Sequence, residues 1–132
     1  MKSPAFCIYS GGEFRTYRVK EQAALDRLMP KEHSKEWNSL TVSVVHEALL
    51  NPAMGEQDRA EREGRIAYTS EALEAIGMVE TGAWQIAILV PPVPLELLRR
   101  VADNGERMPQ KSTFFYPKLP TGLVLNPIDG KI

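Results

Sequence analysis

Hydrophobic and aromatic residues near the N-terminus fall into two short runs around a pair of glycines. The first run spans residues 5–9, and the second resumes after Gly11 and Gly12 with residues such as Phe14 and Tyr17 that are typical of β-strands. Glycine tolerates the positive φ that tight two-residue hairpin turns require. The pattern therefore predicts an antiparallel β-hairpin at the start of the chain.

Two helices are predicted next, from apolar residues at helical spacing. Residues 21–29 form the first, and Pro30 ends it because proline lacks the backbone N–H that a helix needs. Residues 40–50 form the second, with Ser39 as its N-cap and with Pro52 just beyond its end. A short charged connector separates the two.

A strand–helix–strand pattern occupies the middle of the chain. Residues 65–69 favour a short strand, Ser70 favours the start of an apolar-faced helix, and Gly82 favours its end. Residues 84–90 give the clearest strand signal, since they are apolar on both faces apart from Gln85, which is typical of a central strand. Two strands joined in this way are expected to lie parallel, with a right-handed crossover.

Further elements complete a predicted α+β (or α/β) fold in a single domain over residues 1–132. A helix follows Pro94 as far as about Asp103, and strands are predicted at 112–116 and 122–125. The hairpin requires antiparallel pairing and the crossover requires parallel pairing. We therefore expect a mixed β-sheet with an N-terminal hairpin, a right-handed βαβ unit and helices packed on the sheet.

Composition and charge narrow the range of functions. The chain has 132 residues, of which 43% are hydrophobic, and its formal net charge is -1 at pH 7. This is the composition of a globular domain, and it provides no general attraction to nucleic acid or to an anionic membrane. The single cysteine, Cys7, excludes an internal disulfide, and no apolar run is long enough to cross a bilayer. We expect a cytoplasmic protein with no membrane partner, and the segment implies neither a metal site nor a cofactor.

Histidine is the first candidate for chemistry, because the common nucleotide-binding, zinc-protease and serine-hydrolase motifs are missing. His33 lies beside Glu32, and His46 lies beside Glu47 at the edge of the apolar stripe of the second helix. Adjacent helical residues point about 100° apart, so the latter two do not form a ready-made dyad. The stripe consists of Val42, Val45 and Leu49. His46 is the one candidate catalytic residue, and simple packing with a hydrogen bond is the alternative.

A dense segment near the C-terminus combines lysines, hydroxyls and aromatic rings. It reads Met-Pro-Gln-Lys-Ser-Thr-Phe-Phe-Tyr-Pro-Lys from residue 108 to residue 118. A lysine charge, adjacent hydroxyls and free backbone N–H groups are together able to hold a phosphate or a carboxylate. The candidate ligand or anion site, here named the 111–118 surface, consists of Lys111, Ser112, Thr113, Tyr116 and Lys118. The alternative is a strand whose aromatic rings pack in the core while its lysines reach solvent.

This segment resembles the C-terminal signature of the DUF1015 family, a group of uncharacterised prokaryotic proteins. Residues 40–46, Leu-Thr-Val-Ser-Val-Val-His, are similar to the family's Leu-Asp-Val-Ser-Val-Leu-His, with Thr41 in place of the aspartate. Family members are much longer and carry an upstream Asp-Gly-His-His-Arg type of motif that is missing here. The resemblance implies that this chain corresponds to their C-terminal portion and that an upstream domain is its partner.

Three functions remain open at this point. The preferred one is a non-catalytic domain whose 111–118 surface completes a ligand site or docks on the upstream domain. The second is a share of a phosphotransferase-like (small-molecule kinase) or hydrolytic active site, with Lys111 on a phosphate and with Ser112, Thr113 or His46 polarising the substrate. The third, a nucleic-acid-binding accessory module, is disfavoured by the near-neutral charge.

Overall fold

The computed structural model describes residues 3–55 and 57–114 and has an α+β fold, as the sequence predicts. Two strands come first, a long series of helical segments follows, and one further strand and helix complete the described chain. In order they are β1 (Ala5–Ser10), β2 (Glu13–Arg18), α1 (Gln22–Leu28), α2 (Lys35–Asn38), α3 (Thr41–Val44), a π-helical segment (Val45–Leu50), α4 (Asn51–Met54), α5 (Gln57–Arg62), α6 (Ala72–Glu80), β3 (Ala87–Leu89) and α7 (Leu95–Asp103).

The predicted hairpin is confirmed. β1 and β2 pair antiparallel along their whole length, from Ser10 opposite Glu13 to Ala5 opposite Arg18. The two turn residues, Gly11 and Gly12, have φ values of 58° and 80°. Positive φ at both central positions is the type I′ geometry, which matches the right-handed twist of the strands and which glycine adopts without strain.

The predicted right-handed βαβ unit is wrong, and the three strands within residues 3–55 and 57–114 pair antiparallel instead of forming a mixed sheet. β3 pairs antiparallel with β1, with Ile8 opposite Ile88, and the sheet order is β2-β1-β3. Residues 65–69 are not a strand, and four of the five are exposed, so this apolar run has no second surface to bury against. β1, rather than the segment 84–90, is the central strand of the described sheet.

The second predicted helix starts and ends differently from expectation. Ser39 does not cap this helix, because it lies at the C-terminal end of α2. The N-cap of α2 is Ser34, whose hydroxyl accepts a 3.1 Å hydrogen bond from the N–H of Trp37. The helical path continues from α3 through the π-helical segment into α4, past Pro52. Proline has no N–H to donate to the series of helical backbone hydrogen bonds. The wider turn of the π-helical segment loosens this series just before Pro52, so the helical path continues past it. Gly55, with φ of 81°, ends the path.

The hydrophobic core lies among the helices. α7 contributes Val101, which is fully buried, and α2 contributes Trp37. The remaining members of the cluster come from α1 and from the stretch around α3, and they are Leu25, Met29, Leu40, Val42 and Val44. The sheet is held mainly by α6, since the Tyr9 hydroxyl donates a 3.0 Å hydrogen bond to Glu80.

The last two predicted strands fall largely outside the described residues. Residues 112–114 have no regular structure, and the rest of the 112–116 strand and the whole 122–125 strand lie beyond residue 114. Among residues 3–55 and 57–114, each helix is too short or too polar to traverse a lipid bilayer.

Candidate functional site

The segment that follows α7 is fastened to α2 by side-chain hydrogen bonds. Oε1 of Glu106 accepts the backbone N–H of Ser34 at 2.9 Å and lies 3.0 Å from Nδ1 of His33. The indole N–H of Trp37 donates to the carbonyl of Arg107 at 3.1 Å. Met108 then packs against the helical core. The start of the dense C-terminal segment is therefore held at several points.

His33 and Trp37 are the two aromatic side chains that contact the segment after α7. Their rings are stacked with centroids 3.9 Å apart and planes 11° from parallel. Capping of α2 by Ser34 fixes the first turn and sets the two rings side by side. The Glu106 side chain is 17% exposed, and its Oε2 is buried with no hydrogen-bond partner among the described residues.

The electrostatics of Glu106 reflect this setting. Burial acts to raise the pKa of its carboxyl group, but hydrogen bonds from Ser34 and His33, together with the charge of His33, outweigh burial, so the pKa is lowered. Sequence reasoning noted only the adjacent Glu32 beside His33, whereas the carboxylate that contacts His33 belongs to Glu106, 73 residues away. The Ser34-x-x-Trp37 capping pattern was the one local signal available.

The described part of the 111–118 surface forms a turn rather than a strand. Lys111 has φ of 55°, in the left-handed region, and its Nζ lies 3.6 Å from Oε1 of Glu61. The hydroxyl of Ser112 donates to the carbonyl of Pro109 at 2.5 Å. Thr113 and Phe114 are exposed. The charge of Lys111 and the hydroxyl of Ser112 therefore each have a partner within the chain, and the anion site stays a prediction of the sequence.

Two members of the 111–118 surface, Tyr116 and Lys118, lie outside the described residues. Their position relative to Lys111 stays a prediction of the sequence.

The helical wheel predicts His46 at the edge of the apolar stripe. In the structure His46 is buried within the helical layer. Five successive residues, 42–46, are buried, because the change from α to π geometry shifts the phase of a 3.6-residue wheel. Burial lowers the pKa of His46, and the ring of Tyr68 meets its ring edge-on at 6.3 Å. Ser43, one turn earlier, is fully buried, and its hydroxyl has no partner among the described residues. His46 thus contacts Tyr68, whereas Lys111 pairs with Glu61.

The sheet carries a separate, open apolar groove of about 400 Å³. It is lined by Ala5, Phe6, Cys7, Thr16, Leu89, Val90 and Pro91. In the part of the chain that the structure describes, no group of three or more His, Cys, Asp or Glu side chains is placed to hold a metal ion.

Comparison of the chain with protein-family models, with curated proteins and with solved structures found no match. The relation to the DUF1015 family therefore rests on the sequence segments quoted above.

Proposed function

We propose that this chain is a non-catalytic domain that docks on an upstream domain of a longer protein through its 111–118 surface together with Phe114, which lies in the same segment. A contrast within one segment carries the proposal. Residues 106–108 are attached to the helical layer, whereas Phe114 is 61% exposed and the side chain of Lys111 is 51% exposed. A loop that is attached firmly at its start and then exposes an aromatic ring and a cation is typical of a binding loop.

Docking accounts for this geometry better than a preformed anion site does. The charge of Lys111 is shared with Glu61, and the hydroxyl of Ser112 is used within the turn. An anion would have to compete with a carboxylate for that lysine. An apolar ring at the surface, by contrast, gains free energy when a partner covers it.

We propose that this chain belongs to the DUF1015 family. The identity of the partner follows from that resemblance. Because the resemblance covers the C-terminal portion of longer proteins, the occupant of the surface is the domain that precedes this portion in them. A cytoplasmic location is part of the same proposal, and it agrees with the use of a single cysteine.

The proposal is tested by adding the upstream domain of a full-length family member to this chain and measuring association by calorimetry. We expect binding that Phe114→Ala weakens about tenfold or more, since a buried aromatic anchor commonly contributes over 1.4 kcal/mol. Leu73→Ala is the matched control, because Leu73 is an apolar side chain 83% exposed on a different element. A complete lack of association, or equal weakening by both variants, would rule out docking through this surface.

Anion binding is a second candidate function, favoured by the cation, hydroxyls and backbone N–H groups gathered in one turn. Its test is inorganic phosphate added to the isolated chain and followed by calorimetry. Glu61→Gln should strengthen binding by releasing Lys111, whereas Lys111→Ala should abolish it. If neither change alters phosphate binding, the turn is not an anion site.

A further inference from the structure

The outer edge of β2 is an exposed sheet edge in the part of the chain that the structure describes. Within residues 3–55 and 57–114, no strand pairs with this edge, since β2 ends the sheet order β2-β1-β3. All of its residues are exposed, and it pairs with β1 without a bulge or a proline. An edge strand of this kind presents unpaired backbone groups to another chain.

The hairpin register fixes which residues of β2 face outward. In a two-residue hairpin the closing pair, Ser10 and Glu13, is hydrogen bonded, and pairs then alternate along the ladder. The N–H of Val19 donates to the carbonyl of Pro4 at 3.1 Å, which confirms the alternation at the far end. The outward N–H and C=O groups therefore belong to Phe14, Thr16 and Arg18.

We propose that this edge pairs antiparallel with the same edge of a second copy of the chain, with Thr16 opposite Thr16 of the second copy. In this register each outward-facing residue of β2 meets another outward-facing residue. Phe14 lies opposite Arg18 of the second copy on one face, and Arg15 lies opposite Tyr17 of the second copy on the other. The result is a continuous sheet across a two-fold axis.

The sequence of β2 is self-complementary in this register, because each of its two arginines lies opposite an aromatic side chain of the second copy. An arginine beside an aromatic ring gains cation–π attraction on both faces of the joined sheet. A shift to the adjacent register, with Arg15 opposite itself, sets two like charges against each other and places Arg18 against the Gly11-Gly12 turn.

Aromatic packing within the hairpin prepares this edge. Phe14 is tilted against Tyr9 with centroids 4.6 Å apart, and Tyr17 is stacked on Phe6 at 5.6 Å. Nevertheless 58% of Phe14 and 44% of Tyr17 remain exposed. Pairing with a second copy covers these rings, and it does not use the 111–118 surface, so the two proposals stand or fall separately.

Sedimentation of the full chain over a range of concentrations tests the pairing. The wild-type chain should associate reversibly to twice its mass. Thr16→Pro should remain monomeric with an unchanged far-ultraviolet spectrum, because proline removes an N–H that faces away from β1. Thr16→Val keeps that N–H and serves as the matched control that should still dimerise. A wild-type chain that is monomeric throughout, or a proline variant that still dimerises, would overturn the proposal.

Disulfide trapping tests the register. In a Cys7→Ser background, which removes the cross-strand thiol opposite Thr16, Thr16→Cys should give a covalent dimer on mild oxidation. Arg15→Cys in the same background should give far less, because each of these positions then lies opposite Tyr17 of the second copy. Preferential cross-linking of the Arg15→Cys variant would contradict the register, and no cross-linking of either would contradict the pairing.

Discussion

The helical part of the molecule and its sheet are built in opposite ways. Around Leu40 and Val101 the helices bury a connected core, whereas the strand β2 has every residue exposed. Sheet residues such as Phe14 and Tyr17 pack on their hairpin neighbours and still face solvent. The difference indicates that the helices supply most of the stability, while the edge of β2 and the turn at Lys111 are exposed within residues 3–55 and 57–114.

The largest effect should come from shortening a core side chain of the helical part. Leu40 is 1% exposed, and we expect Leu40→Ala to lower the free energy of unfolding by about 2–5 kcal/mol, since a cavity replaces the lost methyl groups. Phe14→Ala, the counterpart in the sheet, should lower it by about 1 kcal/mol or less. Urea unfolding of both variants measures the difference. Equal losses would contradict the division between the two parts.

A smaller loss should follow from weakening the attachment of α2 to the segment after α7. Glu106→Gln replaces a charged acceptor with an amide, and we expect it to lower the free energy of unfolding by about 1–3 kcal/mol. Glu96→Gln is the control, because that carboxylate is 68% exposed and forms only a surface pair with Arg100. Indistinguishable urea midpoints for the two variants would show that the attachment adds little.

The lowered pKa of Glu106 also gives its contribution a pH window. A carboxylate whose folded pKa is lowered stabilises the protein fully above the unfolded value of 4.5, and this stabilisation is lost as the pH falls through the folded value. The stability difference between wild type and Glu106→Gln should therefore shrink below pH 4.5. A difference that stays constant as the solution is acidified would contradict the assignment.

His46 should produce a second pH dependence of stability, at a higher pH than that of Glu106. Its folded pKa is lowered from 6.5 by burial, so the unfolded chain binds a proton first and stability falls as the pH drops below 6.5. His46→Gln should reduce this slope, and His33→Gln, at the more exposed histidine, serves as the control. Thermal unfolding between neutral pH and pH 5 measures how stability changes with pH. If His46→Gln leaves this slope unchanged, His46 is not the source of the pH dependence.

The smallest effect is expected at Ser43. Its buried hydroxyl has no partner among the described residues, so Ser43→Ala removes an unsatisfied group and introduces a better helix former. We expect the free energy of unfolding to stay the same or rise by about 0.5–1 kcal/mol. A clear loss in urea unfolding would indicate that the hydroxyl makes a contact that stabilises the fold.

Local patterns in the sequence predicted the parts of the fold that depend on neighbours in the chain. The Gly11-Gly12 turn and the stop at Pro30 are set by backbone preferences of single residues, and both were predicted correctly. The pairing of β3 with β1 depends on residues far apart in sequence, and an apolar run alone does not state its direction. The crossover prediction failed for that reason.

The candidate site divides in the same way. The lysine and hydroxyl side chains around Lys111 are adjacent in the sequence and could be recognised there. The partner of Lys111 could not, because Glu61 lies in a helix 50 residues earlier. Likewise, the buried position of His46 depends on the π-helical segment, which a regular wheel does not anticipate. The pairing of His33 with Glu106 is a contact of the folded chain alone.

Hydrogen exchange of this chain with and without the upstream domain of a full-length family member is the most direct test of the proposed docking. We expect the largest slowing of exchange in peptides that cover residues 107–118. Peptides from α6 should be unchanged, although this helix carries the exposed Leu73. Slowing confined to α6 or to the sheet, with none in residues 107–118, would contradict the account.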